Sequence, residues 1–159
     1  MFYPTLLHDY FDETARKYPQ KEALIFESQR YTYSDIYNQA NILADKLVDL
    51  GLKRQDRVLI YMDNAPEVVI SFYATLKAGG IFTIINSAVQ LQKLSYIIGD
   101  CEPAVIIAET KKEKNVIEAI KNTQLTCKII WTGPESKDLS DDKDILEYNW
   151  DEIFTYGLL

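Results

Sequence analysis

Asp56–Asn86, DRVLIYMDNAPEVVISFYATLKAGGIFTIIN, is the stretch whose reading decides the fold. It opens with the short apolar run Arg57–Met62, the composition of a strand covered on both faces. Asp63 and Asn64 follow, and Asn64 is a candidate helix N-cap, with Pro66 in the first turn and Glu67 placed to complete a capping box. Val68, Val69, Phe72, Tyr73 and Leu76 then recur at helical spacing as one apolar stripe. Gly79 and Gly80 stop that helix, because glycine enters the left-handed conformation without a steric penalty. Ile81–Ile85 reads as the next strand. Strand, helix and strand within this span make a βαβ unit, whose crossover is expected to be right-handed.

The same unit recurs toward the C-terminus, with candidate strands beginning at Arg57, Ile81, Ala104 and Lys128. Their spacing is close to the minimum for a strand and its crossover helix. Ser87–Gln90 is a possible capping box for a helix over Leu91–Cys101, with Leu91, Leu94, Ile97 and Ile98 facing inward. Pro103 bars its continuation, and Ala104–Ala108 forms the third strand. Thr110–Glu113 is a second box, opening a helix with Val116, Ile117 and Ile120 inside. Lys128–Trp131 is the fourth strand. On the N-terminal side, Leu6–Tyr18 is an amphipathic helix ended by Pro19. Ala23–Phe26 and Arg30–Tyr33 form a hairpin around Glu27-Ser28-Gln29. Ser34 is expected to cap the following helix, whose core face is Ile36, Ala40, Leu43, Leu47 and Leu50 and which Gly51 closes. The pattern predicts an α/β fold: an open, mostly parallel sheet with helices on both faces and an edge β-hairpin near the N-terminus.

The expected organisation is an α/β N-terminal subdomain over residues 1–132, a polar linker over 133–147, and the start of a further segment over 148–159. The linker begins GPESKDLSDDKD. Within Tyr148–Tyr156 a short helix can form around Trp150, Ile153 and Phe154, and Gly157-Leu158-Leu159 carries no terminating signal, as in a piece of a longer protein, with a natural C-terminus as the alternative.

With 159 residues the chain is the size of one domain with its own core. Hydrophobic content of 47% and charged content of 26% are those of a soluble globular protein. A net charge of −7 gives no electrostatic footprint for nucleic acid or an anionic membrane. No apolar run approaches the ~20 residues of a transmembrane helix, and the start MFYPTLLHDYFDE is no signal peptide. Cys101 and Cys127 read as buried reduced thiols of a cytoplasmic protein, with a Cys101–Cys127 pair as the alternative. His8 alone makes no metal site.

Ligands of open parallel sheets bind beyond the carboxyl ends of the strands. Those positions are Asp63 and Asn64, Asn86 and Ser87, Glu109 and Thr110, and Thr132 and Gly133. They form a polar rim without a recognisable catalytic set. The sequence has no GxxxxGK[ST] loop, no GxGxxG following a strand, no GxSxG elbow and no CxxC. Asp63 has the strand-end position of a receiver phosphoacceptor, but Ile25–Glu27 lacks the carboxylates such a site takes from its first strand. Asn86 and Ser87 read as turn and cap residues, with a substrate-entrance role as the alternative. No catalytic, cofactor-binding or metal-binding residue is expected within the chain.

Asp56-Arg57-Val58, Asn64-Ala65-Pro66-Glu67, Lys77-Ala78-Gly79-Gly80 and Asn86 follow one another as in the N-terminal part of adenylate-forming enzymes. That family comprises acyl-CoA synthetases, nonribosomal-peptide adenylation domains and luciferases. Phe11…Ala15…Pro19…Ala23-Leu24 and Thr32-Tyr33-Ser34-Asp35-Ile36 resemble the family's opening, and Leu94–Cys101 resembles its L-x-Y-I-L-x-D helix. The resemblance implies carboxylate adenylation by ATP and Mg²⁺, then transfer of the acyl group to CoA or to a carrier phosphopantetheine. The implied partners are a small carboxylic acid, bound by the parent enzyme, and the remainder of the same polypeptide. It also implies that the loop holding the ATP phosphates and the catalytic lysine lie beyond Leu159, so the chain is expected to be an inactive scaffold. Relatives follow their strand with Pro-Leu-Asn-Pro and, in some, an arginine on CoA phosphate. Here the run is Ile84-Ile85-Asn86-Ser87-Ala88, and Ala88 cannot pair with phosphate. The alternatives are an adenylation domain that loads a carrier protein and a stand-alone, non-catalytic α/β interaction module.

Overall fold

The computed structural model describes residues 6–133 and 145–156. In chain order the elements are α1 (Leu7–Lys17), β1 (Glu22–Phe26), β2 (Gln29–Thr32), α2 (Tyr33–Asp49), β3 (Arg57–Tyr61), α3 (Pro66–Lys77), β4 (Ile81–Ile85), α4 (Leu91–Cys101), β5 (Val105–Glu109), α5 (Glu113–Thr123), β6 (Cys127–Thr132), β7 (Ile145–Asn149) and α6 (Trp150–Tyr156). β1 and β2 pair antiparallel as a two-stranded sheet of their own. The other five strands form one sheet in the order β4-β3-β5-β6-β7, and every pairing in it is parallel.

The central strands are apolar along their whole length because both faces are covered. Val58, Ile60, Ile107 and Ile130 point into a core shared with α1, α2, α3 and α6. Leu59, Tyr61, Ile106, Ala108, Ile129 and Trp131 point into a second core under α4 and α5. The chain runs from β3 through α3 to β4 on one face, then returns through α4 to β5 and through α5 to β6 on the other. A change of direction with a change of face is what a constant crossover hand requires. The C-terminal ends of β3 and β5 therefore flank the point where the winding reverses, the usual ligand crevice of such sheets.

Several local expectations are corrected. Asn64 does not cap α3. Ala65 is the N-cap in an extended conformation, and Pro66 takes the first helical position, where its fixed φ fits and no N–H is needed. α2 is capped by Thr32 rather than Ser34. The Thr32 hydroxyl accepts from the Asp35 N–H at 3.1 Å while Asp35 accepts from the Thr32 N–H at 2.7 Å. Aspartate at the third helical position makes this reciprocal pair possible, whereas Ser34 has Tyr37 there. α4 starts from Gln90 without a side-chain cap. Residues 110–112 make one 3₁₀ turn before α5, so Thr110–Glu113 is no capping box.

The buried face of α3 also differs from the expected stripe. Pro66, Ile70, Ser71, Ala74 and Thr75 are the buried residues, and Phe72, Tyr73 and Leu76 are only half-buried. Small side chains on that face allow α2 and α3 to pack closely. The Thr75 hydroxyl is satisfied by donating to the Ser71 carbonyl at 2.7 Å. Phe72 instead meets the Phe82 ring edge-on at 4.5 Å, near the open side of the sheet. Gly79, at φ +79°, ends the helix in a Schellman arrangement: its N–H donates to Leu76 O, and the Gly80 N–H to Thr75 O at 2.9 Å. A Cβ on Gly80 would lie 3.1 Å from Leu52 and Thr75 side chains and 3.2 Å from the Asp56 carbonyl, so the turn takes glycine there.

Residues 145–147 of the expected polar linker over 133–147 are strand instead of loop. Ile145–Asn149 is a fifth parallel strand, and the expected helix begins at Trp150 instead of Tyr148. Trp150 and Ile153 enter the α1–α2–α3 core, so this segment belongs to the same body. The strand was hidden because its neighbours in sequence are charged and its Glu147 looks like a surface residue. Glu147 is buried and accepts from the Trp131 indole N–H at 2.6 Å. Residues 134–144 of the expected linker and residues 157–159 lie outside the described residues. Both cysteines are free thiols; Cys127 is buried and Cys101 half-buried, and burial pushes the Cys127 thiol up to about 12.

α1 is held to the body by the Phe11–Tyr73 ring stack at 4.0 Å and by an ion pair between Lys77 and Asp12. Ile107→Ala, in the centre of the sheet, is expected to cost about 2–5 kcal/mol. Asn64→Ala is expected to stay within about 0.5 kcal/mol, as for an exposed residue without a capping bond. Urea titrations of the two variants measure both; a loss of about 1 kcal/mol at Asn64 would restore it as the helix cap.

Candidate functional site

The rim at the carboxyl ends of the strands is a connected polar cluster. Asp63 follows β3, Ser87 follows β4, and Glu109 closes β5 with Lys111 just beyond it. The Ser87 hydroxyl donates to Asp63 Oδ1, and Lys111 Nζ lies 3.0 Å from Asp63 Oδ2 and 3.0 Å from Glu109 Oε2. The Asp63 N–H donates to Glu109 Oε1 at 3.4 Å. Beneath them the Tyr61 hydroxyl, at the end of β3, shares its proton between the Ser87 and Val89 carbonyls at 3.0 and 2.9 Å. One tyrosine thus fixes the whole β4–α4 turn. On the β6 side the Thr110 hydroxyl donates to the Thr132 carbonyl at 2.8 Å. Asn86 Oδ1 accepts from the Ala88 N–H at 2.7 Å, which makes it the turn residue the sequence suggests.

These contacts set the electrostatics. The Ser87 hydrogen bond first, and the Lys111 ammonium second, hold the Asp63 carboxyl below the usual carboxylate range. The Asp63 carboxylate first, and Glu109 second, hold the Lys111 ammonium above the usual lysine range. Burial raises the Tyr61 phenol, against a hydrogen bond from Asn115 that lowers it. Asp63 and Lys111 are both more than half exposed, so the cluster is a solvated tie between strand ends.

Of the eight rim positions read from the sequence, the structure joins Asp63, Ser87 and Glu109 in one network and links Thr110 to Thr132. Asn64 stands apart and exposed. Sequence reasoning singles out neither Lys111, a charged residue inside the expected capping box, nor Tyr61, which lies within the apolar run Arg57–Met62. The 3₁₀ turn swings Lys111 back over the sheet end, and that turn has no clear sequence signal.

The cluster does not fit a nucleotide triphosphate. Lys111 is already engaged by two carboxylates, and those carboxylates repel phosphate. No group of three His, Cys, Asp or Glu side chains among the described residues is arranged to hold a metal ion. No helix among the described residues is long and apolar enough to cross a membrane.

The family model of the AMP-binding enzyme matches residues 11–152. The chain belongs to this family of adenylate-forming ligases. Among its relatives, tyrocidine synthase 1 of Brevibacillus parabrevis is 25% identical over 87% of this chain and 12% of its own length. The long-chain-fatty-acid–CoA ligase of Bacillus subtilis is 36% identical over 64% of this chain and 18% of its own length. The fold is that of the corresponding part of a benzoate CoA ligase from Burkholderia xenovorans, with a TM-score of 0.81 and 19% identity. That match covers 96% of this chain and 28% of the ligase. The chain thus spans a minor part of the length of the AMP-binding relatives it matches.

The Asp63 titration tests the cluster. Its folded-state pKa is depressed, so its contribution to stability is present above the ordinary value of about 3.9 and lost as pH falls through the folded value. An NMR titration of the Asp63 carboxyl should place its midpoint below that of an ordinary aspartate. Ser87→Ala and Lys111→Met should each raise it; a midpoint that neither variant moves would remove the network.

Proposed function

We propose that this chain is the N-terminal scaffold of an ATP-dependent acyl-CoA synthetase that adenylates a carboxylic acid and passes the acyl group from AMP to CoA. The observation that carries the proposal is the AMP-binding family match over residues 11–152 of a chain that covers only 12–28% of such relatives as tyrocidine synthase 1 and the benzoate ligase. The adenylating machinery would then lie in the rest of a larger cytoplasmic enzyme. ATP, Mg²⁺ and CoA would be bound there, and the five-stranded sheet would supply a rigid wall for the acid and thiol sites.

The chemistry of the rim supports the division of labour. Adenylation develops negative charge on a transferring phosphoryl group and needs positioned N–H donors, cations and Mg²⁺. Lys111, a cation at the crossover point, is engaged by Asp63 and Glu109 and so ties β3 to β5. The role of these residues is to fix the strand ends, with no proton or phosphoryl transfer assigned to them. A second reading, an adenylation domain that loads a carrier phosphopantetheine, draws on the likeness to tyrocidine synthase 1. Ala88, where some relatives carry an arginine on CoA phosphate, is compatible with a carrier acceptor.

Calorimetric titration of Mg–ATP into the chain tests the scaffold reading. Binding should be no tighter than about millimolar, near −4 kcal/mol, and the chain should show no acid-dependent ATP–pyrophosphate exchange. Micromolar binding, near −8 kcal/mol, would place a complete nucleotide site within these residues and overturn the reading.

A further inference from the structure

We propose that the 3₁₀ turn over 110–112 is a conformational relay, a crossbar that couples the Asp63–Lys111 tie at the end of β3 to the direction in which the chain leaves β6 at Gly133. The inference rests on the geometry of the rim and is independent of the adenylation reading. The turn joins β5 to α5, and β5 lies between β3 and β6 in the sheet. It therefore stands at the middle one of three strand ends. The Glu113 N–H closes the turn by donating to the Thr110 carbonyl. From this closed ring two neighbouring side chains reach toward the two neighbours of β5. Lys111 Nζ lies 3.0 Å from Asp63 Oδ2 beyond β3, and the Thr110 hydroxyl donates to the Thr132 carbonyl of β6 at 2.8 Å.

None of residues 110–112 is buried, so apolar packing does not fix where the turn sits. Beyond its covalent joins to β5 and α5, its seat depends on these two arms. Thr110 and Lys111 share one planar peptide within a closed turn, so lifting one arm loosens the other. The β6 side is built to close tolerance. Gly133 follows Thr132 at φ +125°, a conformation that favours glycine, and a Cβ there would lie 2.9 Å from Thr110 Oγ1, closer than such atoms approach. The backbone leaving β6 is thus packed directly against the Thr110 side chain. On the β3 side, the groups that face the Asp63 carboxylate are the Ser87 hydroxyl and the Lys111 ammonium, with Lys112 nearby; Glu109 meets the Asp63 N–H. The Ser87 bond first and Lys111 second hold the Asp63 carboxyl below its ordinary range, so its titration reports how firmly the Lys111 arm is seated. Coupling between two sites needs an element with two arrangements that both sites bias. The turn seated on both arms and the turn lifted from both are those arrangements. A disturbance at the strand-end crevice is felt where the chain leaves β6, through two side chains of one turn.

NMR titration of the Asp63 carboxyl tests the relay. It is run at low ionic strength, because Asp63 and Lys111 are more than half exposed and salt screens their tie. Thr110→Ala removes the β6 arm without adding an atom, and Gly133→Ala pushes the Thr110 hydroxyl off its acceptor. Neither substitution alters a side chain that bonds Asp63. Each should raise the Asp63 midpoint toward that of Lys111→Met, by ~0.3 pH unit or more, a twofold weaker preference for the charged form. In a Lys111→Met background both should lose this effect, because the arm that carries it is gone. Should Gly133→Ala fail to fold, Thr110→Ala alone decides the case. A midpoint that either folded variant leaves unchanged overturns the inference. So does a rise of the same size with methionine at position 111, which would mark a general loosening of the strand ends instead of a relay through Lys111.

Discussion

The structure depends on burying β3, β5 and β6 on both faces at once. Alternate residues of these strands feed two separate cores, and Leu59, Ile60, Ile106, Ile107, Ile129 and Ile130 are fully buried. A strand of this kind has no solvent face to spare, so helices must cover each side of the sheet. Parallel pairing then forces every connection to cross over, and the preference for one hand makes the winding reverse when the chain changes face. That reversal brings the ends of β3 and β5 side by side. The Asp63–Ser87–Glu109–Lys111 cluster is a product of this topology, assembled from residues up to 48 positions apart.

Much of this was legible in the sequence because it rests on periodicity. The apolar runs at Arg57–Met62, Ala104–Ala108 and Lys128–Trp131, the glycines after α2 and α3, and the proline after α1 mark elements whose positions local chemistry fixes. The failures have physical causes as specific as the successes. Asn64 has the stronger capping side chain, yet Pro66 at the first helical position moves the cap to Ala65. The bulky residues of α3 suggest the inner face, but close contact with α2 selects Ala74 and Thr75 for burial. β7 was lost because Glu147 reads as exposed, when the Trp131 indole satisfies it in the interior.

The rim was only half legible. Its strand-end positions follow from the fold class, and Asp63, Ser87 and Glu109 stand where the rule places them. Lys111 is recruited by a single turn of 3₁₀ helix, and Tyr61 by the reach of its hydroxyl to two carbonyls of the β4–α4 turn. These are tertiary contacts with no periodic signature. They also shape the chemistry of the rim, since Lys111 is shared by two carboxylates and ties strand ends to each other. Membership of the AMP-binding family and a rim suited to holding strands together are compatible when the chain serves as a scaffold.

The central claim is that the doubly covered strands form one cooperative unit on which all else is mounted. Native-state hydrogen exchange of the backbone amides across increasing urea tests it directly. The amides of Ile60, Ile107 and Ile130 should exchange only through global unfolding, with opening free energies that match the urea-derived stability, while the outward amides of Phe82 and Ile84 on the edge strand β4 exchange through local opening. Sub-global exchange of Ile107 or Ile130, at a free energy well below that of global unfolding, would show that the two cores come apart independently and would contradict the account.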